Sequence, residues 1–130
     1  MDNRTIAQLL GETADLLEID NGDSFRIRSY RRAAEAVESC TVQLSEIAND
    51  PKKLQEIPGI GKGMAANIRD MEATGTLPLR EELLQRYRPS MLELMRLPGM
   101  GPKTVALLWT AIQVSSVEEL EAAIIAERLD

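Results

Sequence analysis

The sequence contains no histidine. That removes the commonest general base and metal ligand, and with it Cys-His zinc sites and histidine-dependent triads. The single cysteine, Cys40, excludes an internal disulfide and points to a reducing compartment, where it is expected as a small buried apolar side chain. Aromatics are scarce, with one Trp, two Tyr and one Phe. Leu, Ile, Val, Ala and Met must therefore do the packing, which suits interlocking helices better than a β-sandwich. No segment approaches the roughly 18 consecutive apolar residues of a membrane span. Met1-Asp2-Asn3-Arg4 has no apolar run behind a basic head, so no signal peptide is expected and the chain reads as cytoplasmic, with a bacterial nucleoid association and no membrane partner.

What is present fits one domain, or two small subdomains sharing a core, in 130 residues. The net charge of −6 argues against an anionic partner, because phosphate binders are usually basic. Its distribution argues otherwise. Residues 24–34 hold Arg26, Arg28, Arg31 and Arg32 and no acid, whereas acids concentrate in residues 11–23 and 116–130. A basic face on an acidic body still attracts nucleic acid, with strong salt dependence. The competing reading is that these arginines are simply solvated.

Apolar residues recur at helical spacing and never alternate as in strands, which predicts an all-α fold of about eight or nine mostly short helices. Ile6, Leu9, Leu10, Thr13, Leu16 and Leu17 form the buried stripe of the first helix, with Asn3 or Thr5 as cap. Ser24 is expected to cap a second helix with Ile27, Tyr30, Ala34 and Val37 inward. Asp50-Pro51 restarts a helix, Gly75 ends one, and Pro78 and Pro89-Ser90 begin others. Ser115-Ser116-Val117-Glu118 reads as a capping box. Trp109 and the methionines are assigned to packing, Met64 and Met100 as gap-fillers.

One pattern occurs twice, 40 residues apart: Leu54-Gln55-Glu56-Ile57-Pro58-Gly59-Ile60-Gly61 and Leu94-Met95-Arg96-Leu97-Pro98-Gly99-Met100-Gly101. Proline fixes its own φ and the first glycine takes a positive φ, turning the chain between two helices. The apolar residue locks the turn, and the second glycine opens the next helix with no Cβ to hold a ligand away. The pattern predicts two helix-hairpin-helix elements that bind DNA through Gly59, Gly61, Lys62, Gly63, Met64 and Ala65 and through Gly99, Gly101, Lys103, Thr104 and Val105, where first-turn amides face a phosphate at the positive end of a helix dipole. Lys62 and Lys103 add charge. Backbone donors meet phosphate and not base edges, so binding is expected to ignore sequence. For a single copy, a plain helix connection explains Pro-Gly equally well; the repetition favours nucleic acid.

Phe25-Arg26-Ile27-Arg28-Ser29-Tyr30-Arg31-Arg32-Ala33-Ala34, followed by both Pro-Gly-apolar-Gly hairpins at this spacing, resembles the N-terminal region of family X DNA polymerases, especially the bacterial ones. The resemblance spans nearly the whole chain. It implies a lyase-like DNA-binding domain over residues 1–78 and the start of a polymerase DNA-binding subdomain over residues 79–130. It implies gapped or nicked DNA as partner, with the downstream strand at the first hairpin and the upstream duplex at the second. By position, Arg26, Tyr30 and Arg31 match a 5′-phosphate pocket. The resemblance also implies Na⁺ or K⁺ on the backbone carbonyls of Gln55, Ile57 and Ile60 and of Met95, Leu97 and Met100. Two features depart from the family. The lyase lysine is replaced by Asn67, whose amide forms no imine, and no Asp-x-Asp pair is present to hold two catalytic metals. Divalent metal therefore belongs to a catalytic domain beyond residue 130, and no residue here is expected to be catalytic. Two other readings stay open: a deoxyribose-phosphate or abasic-site lyase, and a protein-interaction module.

Overall fold

A computed structural model describes residues 1–129, with side chains described to residue 126. Among these residues the chain is all helical: α1 (Asn3–Ile19), α2 (Ser24–Ser39), a 3₁₀ turn (Leu44–Glu46), α3 (Pro51–Gln55), α4 (Lys62–Thr74), α5 (Pro78–Arg86), α6 (Ser90–Leu94), α7 (Pro102–Ile112) and α8 (Val117–Leu129). No helix among them is long and apolar enough to cross a membrane.

α1 is the central strut. Its apolar stripe runs the full length and buries Ile6, Leu10, Leu16 and Leu17 against α2 and α5. Each such side chain contributes about 1.5–3 kcal/mol by leaving water. The larger core adds Tyr30, Ala33 and Val37 from α2, Leu54 from α3, and Met64, Ile68 and Met71 from α4. A smaller core gathers Met91, Leu94 and Val105 around Ile19, the last residue of α1. The division expected after residue 78 coincides with the first residue of α5, but packing crosses it. Leu83 of α5 and Leu92 of α6 belong to the larger core.

Three caps differ from the sequence expectation. Asp2, not Asn3 or Thr5, caps α1, its carboxylate accepting the Thr5 N–H at 2.8 Å. Asn3 is buried instead: its Oδ1 accepts the Leu44 N–H at 2.9 Å and its Nδ2 donates to the Val42 carbonyl at 2.8 Å. Those bonds satisfy an amide that would be costly to bury alone. Asp23, not Ser24, caps α2. A carboxylate at these N-caps answers the helix dipole as well as the free N–H, which a hydroxyl does less fully. The capping box lies one residue later than read, with the Glu119 N–H donating to Ser116 Oγ at 3.1 Å. Glu119 Oε1 accepts from Ser115 Oγ at 2.9 Å, and the Ser115 carbonyl accepts from the Ser90 hydroxyl of α6 at 2.6 Å. Ala33 and not Ala34 lies in the α2 core, and Cys40 is half-buried and free.

Candidate nucleic-acid interface

The two hairpins are built alike. Gly59 has φ +100° and Gly99 φ +79°, the left-handed turn that Pro-Gly was expected to supply. The apolar residue after each folds back, the Ile60 N–H donating to the Ile57 carbonyl at 3.0 Å and the Met100 N–H to the Leu97 carbonyl at 3.1 Å. Gly61 and Gly101 then stand as extended N-caps of α4 and α7, with no side-chain capping bond at either. A side chain cap would occupy the donors that a ligand needs. At Gly61, Gly63 and Gly101 an added Cβ would meet nothing within 4 Å, so packing does not demand glycine there.

Not every amide read from the sequence is available. The Ala65 N–H donates to the Gly61 carbonyl at 2.9 Å and the Val105 N–H to the Gly101 carbonyl at 3.0 Å, so both close the first turn of their own helix. This corrects their assignment as DNA donors. Lys62, Gly63 and Met64 keep first-turn amides without an intrahelical acceptor. In α7 the first position is Pro102, which has no N–H, leaving Lys103 and Thr104. The first hairpin therefore presents three such donors and the second two. Gly61, Lys62, Gly63, Gly101, Lys103 and Thr104 are exposed.

The arginine helix α2 lies between the hairpins. One flank faces the first, where an open cleft of about 780 Å³ is lined by Arg26, Tyr30 and Arg32 from α2 and by Gly59, Gly61 and Gly63 opposite. Gly59 sits against α2 so closely that a Cβ would lie 3.2 Å from Ala36 Cβ and from Arg32 Cγ. Tyr30 is largely buried where it lines the cleft, and its Oη accepts from Asn67 Nδ2 at 3.4 Å. Burial raises the Tyr30 phenol above its usual range, against the charge of Arg26 and the Asn67 bond, so it stays a neutral hydroxyl at the cleft wall. Asn67 lines the same cleft.

Arg31 does not join Arg26 and Tyr30. Its Nη1 donates to Asp15 Oδ1 at 2.9 Å and its Nη2 to Glu18 Oε1 at 3.0 Å, clamping α2 to α1. Burial pushes the Asp15 carboxyl above its usual range in spite of the Arg31 bond. The two carboxylates nevertheless outweigh the burial of Arg31 and hold it protonated. The folded state thus favours protonated Asp15, so this group's stabilisation is present at low pH and is lost as pH rises through its raised range. Asp15→Asn is accordingly expected to change stability by no more than about 1 kcal/mol at neutral pH, measured by urea denaturation. A loss of several kcal/mol would show that the charge itself holds the clamp.

The arginines sort by partner. Arg31, Arg69, Arg80, Arg86, Arg88 and Arg96 lie within 4 Å of a carboxylate. Among the described residues, Arg26, Arg28 and Arg32 have no such partner, and neither do Lys62 and Lys103. Phe25, 69% exposed, and Ser29 also line the cleft and were not read as site residues. Their signal was present: Phe25, Ser29 and Arg32 fall at i, i+4 and i+7 of one helix face. Trp109 is half-buried, with the Arg88 guanidinium 5.2 Å from its ring centroid, in keeping with a packing role. Met64 is buried in the larger core and Met100 packs, partly buried, against the smaller one.

The scaffold defined by this geometry is a pair of helix-hairpin-helix units sharing α1. The chain belongs to the helix-hairpin-helix domain family: residues 1–77 match the family described as "Helix-hairpin-helix domain", and residues 91–129 match "SAM-like Helix-hairpin-helix tandem". It is similar to the DNA polymerase/3'-5' exonuclease PolX of Bacillus subtilis (strain 168), being 29% identical over 123 residues, which is 95% of this chain and 21% of the polymerase. The chain thus spans about a fifth of that relative's length. The likeness to family X DNA polymerases read from α2 and the hairpins is borne out.

Proposed function

We propose that this chain binds the sugar-phosphate backbone of DNA at gaps or nicks, without reading sequence, as part of a family X DNA polymerase. The observation that carries this reading is the duplicated hairpin geometry. Each copy offers first-turn amides with no side-chain cap behind an exposed glycine that packing does not require, and beside each stands a lysine with no carboxylate partner among the described residues. A phosphate satisfies those amides and meets the helix dipole. Arg26 and Arg32, across the cleft from the first hairpin, suit the extra charge of a terminal 5′ phosphate, and the Tyr30 hydroxyl adds a donor. Phe25 offers an exposed ring on which an unpaired base can stack.

A monovalent cation fits the hairpin turns as donor chemistry. The Ile57 and Leu97 carbonyls each accept one N–H and keep a second lone pair. With Gln55 and Ile60, and with Met95 and Met100, they would hold such an ion and brace the turn. Asn67 stands where the family lysine would, and an amide forms no imine, so no lyase step is assigned to it.

The test is titration of gapped duplex with and without a 5′ phosphate, at two salt concentrations. The phosphorylated gap is expected to bind more tightly. Arg26→Ala is expected to cost about 10-fold on that DNA, the worth of one charge-assisted hydrogen bond, and much less on the unphosphorylated form. Equal affinity for the two DNAs would remove the 5′-phosphate pocket. A loss confined to one sequence would contradict backbone recognition.

A further inference from the structure

Arg26 and Arg28 are two residues apart on α2, about 200° around the helix, so they serve opposite flanks. Arg26 lines the first-hairpin cleft. Arg28 lines a different cavity, of about 410 Å³, together with Asn21, Ser24, Arg31 and Lys103. Lys103 comes from α7, the helix that opens the second hairpin. The one acid in this cavity is Glu18, whose carboxylate accepts from Arg31 at 3.0 Å. Neither Arg28 nor Lys103 has a carboxylate partner among the described residues. Two like charges from residues 75 positions apart thus share a cavity whose one acid is already engaged by Arg31, beside the polar side chains of Asn21 and Ser24. Such an arrangement repels itself when empty and is relieved by an anion.

Resting on the DNA-backbone reading above, we propose that Arg28 and Lys103 form one seat for a single backbone phosphate of DNA held by the second hairpin. The seat is separate from the first-hairpin cleft and ties α2 to α7 when filled. Contacts to the two hairpins are then not independent patches joined by a passive scaffold. α2 supplies a cation to each.

A shared phosphate has a signature that two separate phosphates lack. For duplex DNA, log K falls with log salt by about 0.9 per phosphate contact. Arg28→Ala, Lys103→Ala and the double variant would be titrated with gapped duplex over a salt series, in the full chain, beside wild type and Arg26→Ala. Each single change is expected to weaken binding several-fold. The double variant is expected to lose clearly less than the product of the single losses and to flatten the salt slope by no more than about 0.9. Multiplicative losses with a slope change near 1.8 would overturn the shared seat, because each cation would then hold its own phosphate. If Arg26→Ala weakens binding while the Arg28 and Lys103 variants match wild type, the seat fails and the DNA-backbone reading stands. A wild-type chain that binds no DNA removes both.

Discussion

Gly59→Ala is expected to destabilise the fold by about 2–4 kcal/mol, from a positive φ and a crowded site together. Gly99→Ala is expected to cost about 1–2 kcal/mol, from φ alone. The two glycines occupy the same position of the repeated motif and both have positive φ. They differ in what lies beyond the missing Cβ. At Gly59 it is α2, with Ala36 Cβ and Arg32 Cγ at 3.2 Å and the Arg32 carbonyl oxygen at 3.3 Å. At Gly99 nothing lies within 4 Å. Backbone and a short alanine side chain cannot move aside as a flexible side chain would, so the first hairpin must lift from α2 or α2 must shift. The lift would also open the cleft between Arg26 and Gly63, so DNA binding should fall with stability. Urea denaturation of the two variants side by side is the measurement. Equal losses would show that the hairpin does not press on α2 as described.

Gly63→Val is expected to separate stability from binding. Gly63 is the second residue of α4, its φ is ordinary, and a Cβ there would meet nothing within 4 Å. Glycine is a poorer helix residue than valine by a few tenths of a kcal/mol, so stability should hold or rise slightly. DNA affinity should nevertheless fall by about 10-fold or more, because the branched side chain stands between the first-turn amides and an approaching phosphate, and charged hydrogen bonds of about 1.5–3 kcal/mol are weakened. Thermal unfolding and a gapped-duplex titration on one preparation would read both. A variant that binds DNA as well as wild type would mean the amide face of α4 is not where phosphate sits.

The hairpins were legible because their information is local. Pro58-Gly59 and Pro98-Gly99 specify a turn through their own torsional limits, and each following helix begins where a second glycine permits. The amphipathic stripe of α1, the Asp50-Pro51 start of α3 and the Gly75 end of α4 were legible for the same reason. The caps of α1 and α2 were misplaced by one residue or more because neighbouring polar side chains compete. Asn3, a good cap by type, was drawn away to bond the Val42 and Leu44 backbone, 39 and 41 residues distant.

The arginine helix was legible as a cluster and not as an arrangement. Composition showed four arginines without an acid among them. It could not show that Arg31 turns to Asp15 and Glu18 on α1, that Arg26 and Arg32 line the first-hairpin cleft, or that Arg28 shares a cavity with Lys103.

The sequence by itself determined the helices and the two turns, since each depends on torsions and hydrogen bonds reaching no further than four residues. Tertiary structure alone decided which charges are spent and which remain free. A guanidinium's availability depends on the carboxylates that packing brings within about 4 Å, and α1 carries those carboxylates to one flank of α2.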